Sequence, residues 1–138
     1  FMEQPLPADN LEDLAELTYH TEIPIAADES LTDFQSAEKI IEEQAAHVFV
    51  IKPMVSGGVT ECKKIINLAR TENIRVVITS SLETSIGRIA CLHLALTNEI
   101  TEACGLATRE VLNEGEPIQP IQGGKIAISD SPGLGVDL

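Results

Sequence analysis

Glu3, Asp28, Lys52 and Ser80 follow one another at intervals of 25, 24 and 28 residues, each where a short apolar run stops. The clearest case is VFVIKPMVSGG, residues 48–58, where four apolar residues run into a lysine, a proline and a glycine pair. A core strand has no need of a charge, and a half-solvated strand would alternate polar with apolar residues. The run reads instead as a strand that delivers an ammonium group to a particular place. Gathered together, two acids, a lysine and the hydroxyls of Ser80 and Ser81 would supply charge of both signs and carriers of protons, the equipment of acid–base and charge-stabilising catalysis.

The elements that must position these groups alternate. Phe1 and Met2 read as the tail of a strand closed by Glu3, and Asn10 as the N-cap of a helix through Leu11, Leu14 and Leu17. IPIAA (23–27) is a short strand ending at Asp28 and Glu29, followed by a helix with Phe34, Ala37, Ile40 and Ile41 on one face. VFVI (48–51) leads to a helix with Val59, Cys62, Ile65, Ile66 and Ala69, and VVIT (76–79) to one with Ile86, Ile89, Leu92 and Leu96. Strands without alternation are buried on both faces, and helices between them imply a parallel sheet of βαβ units. All carboxyl ends then share one rim, where (β/α) barrels and open α/β sheets place their active sites.

Each feature has a plain structural reading. Glu3 could simply end a strand, Lys52 could snorkel to water, and Asp28, Glu29 and Ser30, or Ser80 and Ser81, could cap the next helix. Gly57 and Gly58 could form only a turn, or could bring backbone N–H groups close to an anion. The common phase of all five features favours the rim. His20 and His47 are placed at helix ends and His93 within a helix, all structural, and Arg88 reads as a solvated charge.

The repeat ends after about four and a half units. Gly105, Leu106 and Ala107 could be a short fifth strand, and a Pro- and Gly-rich tail follows with a hairpin turn at Gly123 and Gly124. We assign residues 1–110 to a (β/α) portion and 111–138 to the tail. A closed barrel needs eight units, typically about 250 residues. Residues 1–138 are therefore expected to be the C-terminal part of a longer protein.

The 22 acidic against 9 basic residues, a net charge of -13, argue against nucleic-acid and anionic-membrane partners. No apolar run approaches the roughly 20 residues that span a bilayer, and a signal peptide is not expected. Cys62, Cys91 and Cys104 have no metal-ligand spacing and read as reduced thiols of a cytoplasmic protein.

FMEQPLP, PIAADESL, VIKPMVSGG, TSSLETSIG and SPGLGVDL, in this order, resemble the muconate-lactonizing subgroup of the enolase superfamily, over nearly the whole chain. The Lys-Pro pair with Ser-Ser-Leu-Glu tilts the resemblance toward its o-succinylbenzoate synthases, dehydratases of menaquinone biosynthesis. It implies an α/β fold, the C-terminal part of a TIM-type (β/α) barrel comprising strands four to eight. It implies that Glu3 and Asp28 ligate Mg2+, with Mn2+ as a substitute, and that Glu29 is the neighbour of the Asp28 ligand. Lys52 would be the strand-six lysine that stabilises the enediolate anion, and Gly57, Thr79, Ser80 and Ser81 would meet a distal carboxylate of a small-molecule substrate. The family's third metal-ligating acid, its strand-two Lys-x-Lys pair and its N-terminal capping domain are not in these residues. The rest of the polypeptide is thus an expected partner, and residues 1–138 alone are not expected to be catalytically competent.

The same motifs leave a dipeptide epimerase, an N-acylamino acid racemase or a muconate cycloisomerase open. Outside the superfamily stand a non-catalytic half-barrel and a phosphorylation-controlled receiver domain. The receiver's hydroxyl strand precedes its Lys-Pro strand, the reverse of the order here. Oligomeric state is left open, a homo-oligomer included.

Overall fold

The computed structural model describes residues 1–108 and 120–135. Four strands, β1 (Met2–Glu3), β2 (Ile25–Ala27), β3 (Val48–Ile51) and β4 (Arg75–Ile78), form one parallel sheet in sequence order. Between and after them run α1 (Leu11–His20), α2 (Phe34–Glu42), α3 (Val59–Thr71) and α4 (Ser85–Thr97). The expectation of an α/β architecture built from βα units holds. Among the described residues no helix is long and apolar enough to cross a membrane.

Each helix starts where local chemistry favours it. Asn10 accepts the Asp13 N–H at the start of α1. Asp33 and Ser36 form a reciprocal capping box at α2, which satisfies two N–H groups the helix leaves unpaired. The capping alternative for Asp28, Glu29 and Ser30 therefore fails, as it does for Ser80 and Ser81, because Thr84 takes the N-cap position of α4.

The strand register sorts the side chains into two faces. Alternate residues point to opposite sides. Ile25, Ala27, Phe49, Ile51, Val76 and Ile78 pack under the helices in the main core, with Leu14, Ile40, Ile65, Ile66 and Leu92. Fully burying a side chain such as Phe49 or Ile51 contributes roughly 1.5–3 kcal/mol. Ala26, Val48, Val50 and Val77 form a separate cluster on the opposite, inner face.

Some helical positions differ from the periodic reading. Val59, Ile86 and Leu96 are exposed at helix ends rather than buried. Arg88, read as a solvated charge, is only 3% exposed, because α4 buries a broad arc that also takes in Ser85, Cys91 and Leu94. His47 lies in the turn before β3, not at a helix end, and its Nδ1 accepts the Ile25 N–H. All three cysteines are free, and burial pushes the thiols of Cys62 and Cys91 up to about 11 and about 12, as suits packed, unreactive sulfur.

The fifth strand reduces to one parallel bridge between Thr79 and Gly105, fixed by the Gly105 N–H on Ile78 O at 2.9 Å and the Ser80 N–H on Gly105 O at 3.0 Å. The hairpin turn is present: β5 (Ile121–Gln122) pairs antiparallel with β6 (Lys125–Ile126). Gly123 and Gly124 have φ of 56° and 75°, a left-handed pair that glycine adopts at no steric cost. The boundary set at 110 and 111, and the last three residues of SPGLGVDL, lie outside the described residues.

Candidate active site

Parity along the strands decides which groups can meet. Glu3 pairs with Ala26 in register, and Ala26 with Val48, so Glu3 shares the inner face with both. Two residues beyond Ala26 is Asp28, two beyond Val50 is Lys52, and two beyond Val77 is Thr79. One carboxyl-terminal rim therefore carries Glu3, Asp28, Lys52 and Thr79 on the inner side.

Lys52 Nζ stands 2.5 Å from Asp28 Oδ2, with Lys52 about a quarter exposed and Asp28 at 6%. The chain beyond Lys52 winds tightly: its carbonyl accepts the N–H groups of Val55 and Ser56, both at 2.9 Å. Gly57 and Gly58, at φ of 84° and 91°, then carry the chain into α3, whose N-terminus has no side-chain cap. Glu3, more exposed, lies within hydrogen-bonding reach of the Asp28 carboxyl. Partial burial and then the Asp28 charge raise its pKa above the ordinary value, Lys52 opposes them, and the exposed Glu29 adds a smaller push. Two carboxylates are thus pressed together and compensated from one side by an ammonium.

This donor set suits part of a site for a hard divalent cation, which takes carboxylate oxygens and would relieve the repulsion. Among the described residues no group of three His, Cys, Asp or Glu is arranged to hold a metal ion. Glu3 and Asp28 can therefore be two ligands of a larger set, not a complete one.

The residues after β4 are not equivalent. Thr79 is half-buried, and its hydroxyl donates to Gly105 O at 2.9 Å, an approach open because residue 105 lacks a Cβ, which would stand 2.6 Å from Thr79 Oγ1. Ser80 falls on the other parity and is 4% exposed. Its hydroxyl meets Thr108 Oγ1 at 2.5 Å and Gly105 O at 3.3 Å, so it is engaged within the chain. Ser81 is half-buried and gives its N–H to the Glu83 carboxylate.

Gln4 was visible in the sequence only as part of Glu-Gln-Pro. The structure shows its side chain bonded across to the turn after β2: Oε1 accepts the N–H groups of Asp28 and Ser30, and Nε2 donates to Ser30 Oγ and Leu6 O. Adjacency to Glu3 was its only signal. A cleft of about 790 Å3 lined by Thr18, Tyr19, His47 and Glu72 lies at the opposite, amino-terminal end of the strands and contains none of these groups.

The model of the enolase C-terminal domain-like family matches residues 1–138. The chain belongs to that family. It is 32% identical over 140 residues to the o-succinylbenzoate synthase of Bacillus subtilis, covering 99% of this chain and 38% of that protein. It is 36% identical over 102 residues to the L-amino acid-D/L-Glu epimerase of Francisella philomiragia, covering 74% of this chain and 29% of that one. The solved muconate lactonizing enzyme from Pseudomonas putida superposes with a TM-score of 0.90 at 30% identity, covering 99% of this chain and 39% of that structure. The chain thus spans well under half the length of these relatives. The four parallel units are those of the family's TIM-type barrel, and the family's enzymes include lyases and epimerases.

Proposed function

We propose that the protein carrying this chain is a divalent-cation-dependent enzyme that removes a proton from the carbon beside a substrate carboxylate, and that it is an o-succinylbenzoate synthase, a dehydratase. The observation that carries this reading is the Lys52 ammonium set 2.5 Å from the Asp28 carboxylate and beside Glu3 on one rim.

Glu3 and Asp28 would hold Mg2+, or Mn2+ in its place, with a third acid from the rest of the polypeptide. When bound, the cation supplies Lewis-acid stabilisation of the charge that builds on the substrate carboxylate. Lys52, as ammonium, faces that charge, and preorganised positive charge in a dry site lowers the barrier most where charge develops. The α-proton passes to a lysine outside this chain, and the β-hydroxyl departs from the same face with a proton as water, leaving the aromatic ring of the product. Gly57, with Thr79 and Ser81 at the mouth of the β4–α4 loop, would meet the distal carboxylate; Ser80 would serve by holding that loop.

Residues outside the described elements, the rest of the polypeptide, complete the site. An epimerase is the second reading, supported by the 36% identical relative. There Lys52 would itself exchange protons with the second face. The Lys-Pro and Ser-Ser-Leu-Glu motifs support the dehydratase.

The complete protein in D2O separates the two. Offered the cyclohexadiene precursor of o-succinylbenzoate, it should dehydrate it quickly. Offered N-acylated and dipeptide amino acids of both configurations, it should incorporate deuterium slowly or not at all. Faster exchange into the amino acids of both configurations than dehydration of the precursor would replace the synthase by the epimerase.

A further inference from the structure

Gln4 ends β1 in an unusual way. Its backbone N–H extends the ladder to Ala26 O at 2.9 Å, and its φ of 34° is one that residues with side chains disfavour. The turn carries its amide across to the loop after β2. Oε1 accepts the Asp28 N–H at 2.9 Å and the Ser30 N–H at 3.1 Å, while Nε2 donates to Ser30 Oγ at 2.8 Å and Leu6 O at 3.0 Å. Ser30 Oγ passes a further bond to Ala8 O at 3.1 Å. Both lone pairs and both hydrogens of the amide are used, and only this orientation of the amide satisfies every partner.

We infer that Gln4 is a positioning residue that fixes the spacing of the Glu3 and Asp28 carboxylates and so sets the site's hold on a divalent cation. The inference rests on the proposed function for the identity of those ligands. Gln4 is covalently next to Glu3 and hydrogen-bonded to the backbone of Asp28, so one planar amide ties the two acids together across β1 and β2. A residue that merely closed the loop onto Leu6 and Ser30 would need no bond to Asp28. Groups that orient metal ligands from behind typically govern affinity by about 10- to 100-fold.

The test is Mn2+ binding by the complete protein, titrated by electron paramagnetic resonance, with thermal melts alongside. Gln4→Met keeps the length of the side chain but leaves the Asp28 and Ser30 N–H groups without their acceptor, and should weaken Mn2+ binding about 10- to 100-fold. Ser30→Ala removes the far end of the bracket and leaves Oε1 on Asp28 N. It should lower the melting temperature yet keep Mn2+ affinity within about threefold, well short of that range. Gln4→Glu keeps an oxygen for both N–H groups and should bind Mn2+ at least as tightly as the wild type. Wild-type affinity in Gln4→Met overturns the inference, as does a loss of affinity that tracks the melting temperature equally in Gln4→Met and Ser30→Ala. A loss in Gln4→Glu as large as that expected of Gln4→Met also overturns it, and this arm decides alone if Gln4→Met does not fold. Failure of the wild type to bind Mn2+ overturns the proposed function and this inference with it.

Discussion

Glu3 and Asp28 are two acids that repel each other in the absence of a cation, and that repulsion has a pH signature. Partial burial first, and Asp28 second, raise the Glu3 pKa above its ordinary 4.5, so the folded state holds this proton more tightly than the unfolded chain does. The penalty is absent below the ordinary carboxylate pKa and grows as pH rises through the raised value. Glu3→Gln should therefore stabilise the metal-free protein against heat at neutral pH and leave it unchanged in acid, as thermal melts at both pH values would show. A destabilised variant at neutral pH would mean that Glu3 is attracted to its surroundings rather than repelled. At this scale the sequence was informative wherever an apolar run met a polar residue, because that switch marks a strand end on the rim. It could not show that Ser80 is engaged by Thr108, a partner 28 residues away that only the folded chain brings to it. Nor could it show Gln4, whose role depends on a left-handed turn and on partners 24 and 26 residues away.

The β4–α4 loop hangs on an element too short to be read as a strand. Gly105 meets Thr79 so closely that an added Cβ would stand 2.6 Å from Oγ1 and 3.0 Å from Thr79 Cβ. Gly105→Ala should cost about 1–3 kcal/mol by overpacking, read as a lower denaturant midpoint at unchanged slope. An unshifted midpoint would show that the bridge yields freely. For α2, Asp33→Ala removes the cap and should cost about 1 kcal/mol; a cost near zero would place helix initiation elsewhere. The existence and order of the elements were legible from periodicity and punctuation. β3 agrees residue for residue with VFVI, because a continuous apolar run between His47 and Lys52 leaves no other boundary. Helix starts were less legible: the acids at 28 and 29 look like caps, yet the chain spends several more residues at the rim before Asp33 begins α2.

Across the whole molecule, the charged rim and the inner apolar cluster of Ala26, Val48, Val50 and Val77 belong to one design, in which a parallel sheet gathers its strand ends at one rim. Phe1 and Met2, the latter within β1, are exposed, and β1 has a neighbour on one side only among the described strands. Residues 1–138 expressed alone should therefore associate or melt without cooperativity, because an unpaired strand edge invites pairing; sedimentation showing a cooperatively melting monomer would contradict this. Fold class was legible at this scale because four strand–helix units repeat in phase, whereas Glu3 and Asp28 fall short of a three-ligand metal group among the described residues. Lys52 is proposed to act on a cation site formed with Asp28 and Glu3, and Lys52→Ala in the complete protein tests this, with Mg2+ binding measured by calorimetry beside turnover of the cyclohexadiene precursor. Loss of the ammonium should slow dehydration about 100- to 1000-fold while Mg2+ binding is retained or tightened, since Asp28 loses a competing partner. Turnover within about tenfold of the wild type, far above the loss expected of a missing charge partner, or loss of Mg2+ binding would contradict the account.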